Sequence, residues 1–112
     1  MATEELTPLN KVAKEIQAMR TDKGFYTPTS LLTTNDRDMM LGKLMLVVTE
    51  LAEAAEDVRD GNYVHFYEEI ADSIIRLFDI AATTEMDIDY EVRTKMEKNR
   101  LRPFLHGRKS TL

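Results

Sequence analysis

The chain contains no cysteine, which excludes disulfides and thiolate metal sites. It has no long apolar run and no signal-like N-terminus, so a membrane span is not expected and a cytoplasmic setting is. Internal repeats and low-complexity segments are also missing. Neither histidine lies three residues after a glutamate, so the Glu-x-x-His element of a di-iron carboxylate bundle is absent. "EMDIDYE" alternates Asp87, Asp89 and Glu91 without the glycine that a calcium loop requires. Basic residues are outnumbered, 15 against 20 acids, and the net charge of -5 disfavours general nucleic-acid binding.

What remains is acidic and helical. At 112 residues the chain is expected to form one domain, 1–112, small enough for a partner copy to supply part of its burial. Thr7 followed by Pro8 offers an N-cap and a first-turn proline. Leu9, Val12, Ala13, Ile16 and Met19 then recur at helical spacing until Gly24. "GFYTPTSLLTTND" reads as a loop, with Asn35 or Asp36 available to cap the next helix. That helix is expected over about Arg37 to Arg59, with Leu41, Leu44, Val48, Leu51, Ala55 and Val58 on one face.

Gly61 and Asn62 make a turn, and a third helix over about Tyr63 to Thr83 carries Phe66, Ile70, Ile74, Leu77 and Ala81. Asp87 or Asp89 can cap a fourth helix, which stops near Pro103, and 104–112 reads as a C-terminal tail. The pattern predicts an all-α four-helix bundle. Phe25 and Tyr26 read as loop packing rather than ligands.

Two acidic pairs stand out. Glu50 with Glu53, and Glu69 with Asp72, are each three apart on a helix and therefore neighbours, bordering apolar positions. Helices joined at Gly61 run antiparallel, so the pairs can face each other across the seam. Four converging carboxylates repel unless a divalent cation neutralises them, and an all-oxygen set suits magnesium or manganese better than zinc. An acid-rich solvated helix face would produce the same spacing.

On the fourth helix Lys95, Asn99 and Arg102 stand at i, i+4 and i+7 with Lys98 close by, a set suited to phosphate oxygens. The competing explanation there is a basic last turn answering the helix dipole.

The ExxE and ExxD pattern of Glu50, Glu53, Glu69 and Asp72, followed by "KMEKNRLRPFLHGRK", resembles the MazG-like all-alpha nucleoside triphosphate pyrophosphohydrolases. The glycine turn before the ExxD helix, the "GFY" loop and the "RPFLHGRK" tail are similar to that family as well. Thr49 stands where many members carry a further glutamate.

The resemblance implies a MazG-like bundle completed by dimerisation, as a dimer or a tetramer. It implies cleavage of a nucleoside triphosphate to monophosphate and pyrophosphate, with Mg2+ as cofactor and Mn2+ as a possible substitute. Glu50, Glu53, Glu69 and Asp72 would then hold metal, Glu50 and Glu53 would be the candidate bases, and Lys95, Lys98, Asn99 and Arg102 would hold phosphate. A non-catalytic helical dimer or a nucleotide-binding regulatory module is the alternative that the same residues leave open.

Overall fold

The computed structural model describes residues 7–22 and 34–103. The "GFY" loop with Phe25 and Tyr26, and the tail 104–112, lie outside the described residues. All regular structure among them is helical: α1 Pro8–Asp22, α2 Thr34–Asp60, α3 Tyr63–Thr83 and α4 Ile88–Arg100. The α2–α3 hairpin is the centre of the molecule; α1 packs on α3, and α4 packs on α1. None of these helices is long and apolar enough to cross a membrane.

Local chemistry explains most boundaries. Gly61 sits at φ 71°, its N–H donates to the Val58 carbonyl at 3.2 Å, and the Asn62 N–H reaches back to Asp57 at 2.9 Å. That is the paired bond pattern of a glycine C-cap, and it satisfies carbonyls the end of α2 would otherwise leave open. Asn62 then caps α3 by accepting from the His65 N–H at 3.3 Å. The end of α3 repeats the pattern without glycine: Glu85 takes φ 57°, with bonds from Glu85 to Ala82 and from Met86 to Ala81.

α2 begins at Thr34, earlier than expected, so Asn35 and Asp36 lie within its first turn instead of capping it. An acid in that position favours the positive end of the helix dipole. α4 ends at Arg100, with Leu101 at its C-cap, so Arg102 stands beyond the helix and the i+7 register does not carry it onto the face of Lys95 and Asn99. The proline at 103 disfavours helical geometry in the residue before it.

The starts of α1 and α4 cap each other. Asp87 caps its own helix through the Tyr90 N–H at 3.1 Å. Asp89, buried inside the first turn of α4, instead accepts the Asn10 N–H of α1 at 2.8 Å and the Thr7 hydroxyl. Asn10 returns the bond, accepting from the Ile88 N–H at 3.0 Å. Burial pushes the Asp89 carboxyl up, but the bonds from Thr7, Asn10 and Leu9 and the charge of Arg93 outweigh it and leave it below its ordinary value.

Among the described residues the buried apolar ones are Ala13 and Ile16 of α1, Met40, Val47 and Ala54 of α2, and Ala81 and Ala82 of α3. The apolar face expected on α2 is left uncovered by this chain. Leu41, Leu44, Val48, Leu51, Ala55 and Val58 are all exposed, Leu41 by 60%. On α3, Phe66 and Ile70 are half-buried and Ala81 is buried, while Ile74 and Leu77 are exposed. The physical reason is that α2 carries two apolar stripes. The one at positions 40, 47 and 54, ending in a small alanine, lets α2 and α3 approach closely. The larger stripe is left facing out.

Candidate metal centre on the α2–α3 hairpin

The hairpin is close to a mirror about its turn. Glu53 lies 8 residues before Gly61 and Glu69 8 after it; Glu50 lies 11 before and Asp72 11 after. At equal rise per residue, antiparallel helices bring equidistant positions level, and the structure does so. Glu50, Glu69 and Asp72 each offer an oxygen, and these oxygens lie within 4.8 Å of one another. Glu53 is exposed on the same seam, and its charge and side-chain contact both act on Glu69. Of the four acids expected to converge, the fold brings three together, Glu50, Glu69 and Asp72, with Glu53 acting on Glu69 from outside the group.

Crowding perturbs the carboxyls. The side-chain contact with Glu50, together with burial and the charges of Glu50 and Glu53, pushes Glu69 up to about 7. The same contact with Glu69 holds Glu50 below its ordinary value, against burial, and the Arg76 guanidinium adds to the effect. One oxygen of Glu69, Oε2, is buried and meets no hydrogen-bond donor. A buried acceptor without a donor is costly in any protein, and a cation is one remedy.

Cations gather on the side of this cluster away from the turn. Arg76, one helical turn beyond Asp72, places Nε 3.1 Å from Glu50 Oε1. Further along, Asp79 is buried between Arg20 Nε of α1 and Lys43 Nζ of α2, each at 3.0 Å, so a three-member ion group ties α1, α2 and α3 together. Arg76, Arg20, Lys43 and Asp79 also share, with Leu46, the wall of a cavity of about 20 Å³. That is room for about one water and not for a phosphate.

These basic residues were not singled out by spacing, although a signal existed. Arg76 is four after Asp72, and Lys43 is seven before Glu50, both helical-face intervals.

The expected phosphate set is placed differently. Lys95, Lys98 and Asn99 are exposed on α4, and Arg102 is half-exposed just past its end. Their helix packs on α1, whereas the acids lie between α2 and α3. His65 is exposed at the start of α3.

Compared with protein-family models, with curated proteins and with solved structures, the chain finds no match.

Proposed function

We propose that this chain is a magnesium-dependent nucleoside triphosphate pyrophosphohydrolase of the MazG-like kind, cleaving a ribo- or deoxyribonucleoside triphosphate at the α phosphorus to the monophosphate and pyrophosphate. The observation that carries the reading is the convergence of Glu50, Glu69 and Asp72 from two helices to within 4.8 Å, with Glu53 beside them. The donor-free Glu69 Oε2 supports a cation there, and an all-oxygen donor set fits Mg2+ or Mn2+. Glu50, Glu53, Glu69 and Asp72 would hold it. When bound, the cation supplies Lewis-acid stabilisation of phosphate oxygens and acidifies water.

The chain's own residues do the remainder. Glu50 and Glu53 are the candidate groups to take the proton from the attacking water, since a carboxylate at hydrogen-bond reach of that water serves as general base. Lys95, Lys98, Asn99 and Arg102, which lie on the α4 side of this chain, would bind phosphate oxygens and align the leaving pyrophosphate only where a second copy brings its α4 to these acids. Two copies associating through the exposed stripes of α2 and α3 would complete a bundle, as a dimer or a dimer of dimers.

The exposed stripes also favour a second reading, a non-catalytic helical dimer or nucleotide-binding regulatory module whose acids only solubilise its surface. A panel of ribo- and deoxyribonucleoside triphosphates with Mg2+, scored for pyrophosphate and monophosphate against Asp72→Ala, separates the two. The pyrophosphohydrolase reading expects both products from the wild type and at least a roughly hundredfold loss in the variant, the scale of removing a group that stabilises transition-state charge. Intact nucleotide from both proteins, or equal release from both, overturns it.

A further inference from the structure

Arg76 occupies an unusual place between the two charge groups of the hairpin. Its α3 neighbours on the same face are Glu69, seven residues before, and Asp72, four before, so the helix presents acid, acid and cation in order. Its guanidinium reaches across the seam to Glu50 rather than back to Asp72, giving a donor-to-carboxylate contact of 3.1 Å. Among the described residues this is the hydrogen-bonded ion pair of Glu50, the α2 member of the three-acid cluster.

The Arg76 side chain is 35% exposed and that of Glu50 13%, so the guanidinium can move outward while the carboxylate stays in the seam. The Asp79 group behind it is already bridged by Arg20 and Lys43. Arg76 therefore has one strong partner, and that partner is a candidate metal ligand.

We propose that Arg76 is a built-in counter-cation of the acidic cluster, holding Glu50 in the metal-free protein and giving it up when a divalent cation enters. The inference rests on the metal reading of the cluster given above. A guanidinium and a divalent cation cannot both sit against the same carboxylate without repulsion at short range. Cation binding therefore includes breaking the Arg76–Glu50 pair, and affinity is lower than the acids alone would give. Arg76 differs in this from a strut that merely orients Glu50, because removing a strut weakens metal binding whereas removing a competitor strengthens it.

The test uses Mn2+ alone, without nucleotide, titrated calorimetrically into the wild type, Arg76→Gln, Glu50→Gln and Arg59→Gln. The last removes one charge from the exposed Arg59–Glu56 pair and so controls for net charge. The competitor role expects Arg76→Gln to bind Mn2+ roughly three- to tenfold more tightly, the range of a partly exposed ion pair plus the relieved repulsion. The gain narrows at high salt, and Arg59→Gln stays at the wild-type affinity.

A direct readout is the side-chain Nε–H resonance of Arg76, protected from exchange in the metal-free protein and lost or shifted as Mg2+ saturates. Unchanged or weaker Mn2+ binding by Arg76→Gln, or an Nε–H signal unmoved at saturating Mg2+, overturns the proposal while leaving the metal site standing. Absence of Mn2+ binding by both the wild type and Arg76→Gln, or wild-type affinity in Glu50→Gln, overturns the metal reading and this inference with it.

Discussion

Glu50 and Glu69 touch across the hairpin seam, and their protons respond to pH in opposite senses. In the unfolded chain Glu69 gives up its proton near 4.5; in the folded chain, pressed against Glu50 and partly buried, it keeps the proton to about 7. The folded state therefore binds more protons in that window, and stability falls as pH rises through it. Glu50, held below its ordinary 4.5 by Glu69 and Arg76, contributes stability that is present above that value and lost as pH falls beneath it. In chelator, the melting midpoint is expected to be highest near about pH 5 and to decline toward about pH 8. Glu69→Gln should flatten the decline. A cation that binds ionised carboxylates should raise the midpoint more at the higher pH than at the lower. Thermal melts across that range check the prediction; a midpoint indifferent to pH in chelator would contradict the crowding.

At the scale of elements, the two ends of the hairpin helices form a natural comparison. Both close with one residue at positive φ, Gly61 at 71° and Glu85 at 57°. A Cβ at Gly61 would meet nothing within 4 Å, so Gly61→Ala should cost only the left-handed backbone penalty, about 1 kcal/mol. Glu85 already bears that penalty, and Glu85→Gly should recover part of it, about 0.5–1 kcal/mol or roughly 3–5 °C in melting midpoint. Opposite signs for the two substitutions in one melting series are the expected outcome.

The Gly61 turn and the limits of α3 were legible because a glycine C-cap and an asparagine N-cap are local devices, readable within a few residues. The role of Asp89 was not legible. It sits inside α4 by its own local chemistry, and the donors it accepts lie 79 and 82 residues away in sequence.

For the molecule as a whole, the outward stripe of α2 is the feature with most consequence for association. Leu44, Val48 and Leu51 stand between 42% and 51% exposed, and Ile74 and Leu77 of α3 are exposed to a similar degree, 47% and 46%. Burial against a second copy would recover about 0.7–1.5 kcal/mol for each large side chain covered, roughly half the full-burial value because each is already about half covered. Sedimentation should show a dimer or tetramer, and Leu51→Glu should raise its dissociation constant by at least roughly tenfold. A wild-type protein monomeric at every concentration would contradict this.

The same stripe marks where sequence reasoning stopped. Periodicity identified Leu41, Leu44 and Val48 as a face, but it could not say whether this chain or another covers it, since Met40, Val47 and Ala54 form a neighbouring stripe on the same broad apolar arc. The acid pairs were legible because helical spacing and one turn determine them. Arg76 and the Asp79 group were not, because their meaning lies in contacts between helices.

The mirror placement of the acids about Gly61 also constrains how the chain can change length. One residue inserted between Gly61 and Glu69 would turn everything after it by about 100° and slide it about 1.5 Å, carrying Glu69 and Asp72 off the seam together. Lengthening one helix by two turns would restore the face but leave the acids about 10.5 Å out of level. Only matched insertions of whole turns on both sides of Gly61 keep the carboxylates opposed, so the turn acts as a ruler, and the distance from the turn to the two acidic pairs can grow or shrink only in paired steps.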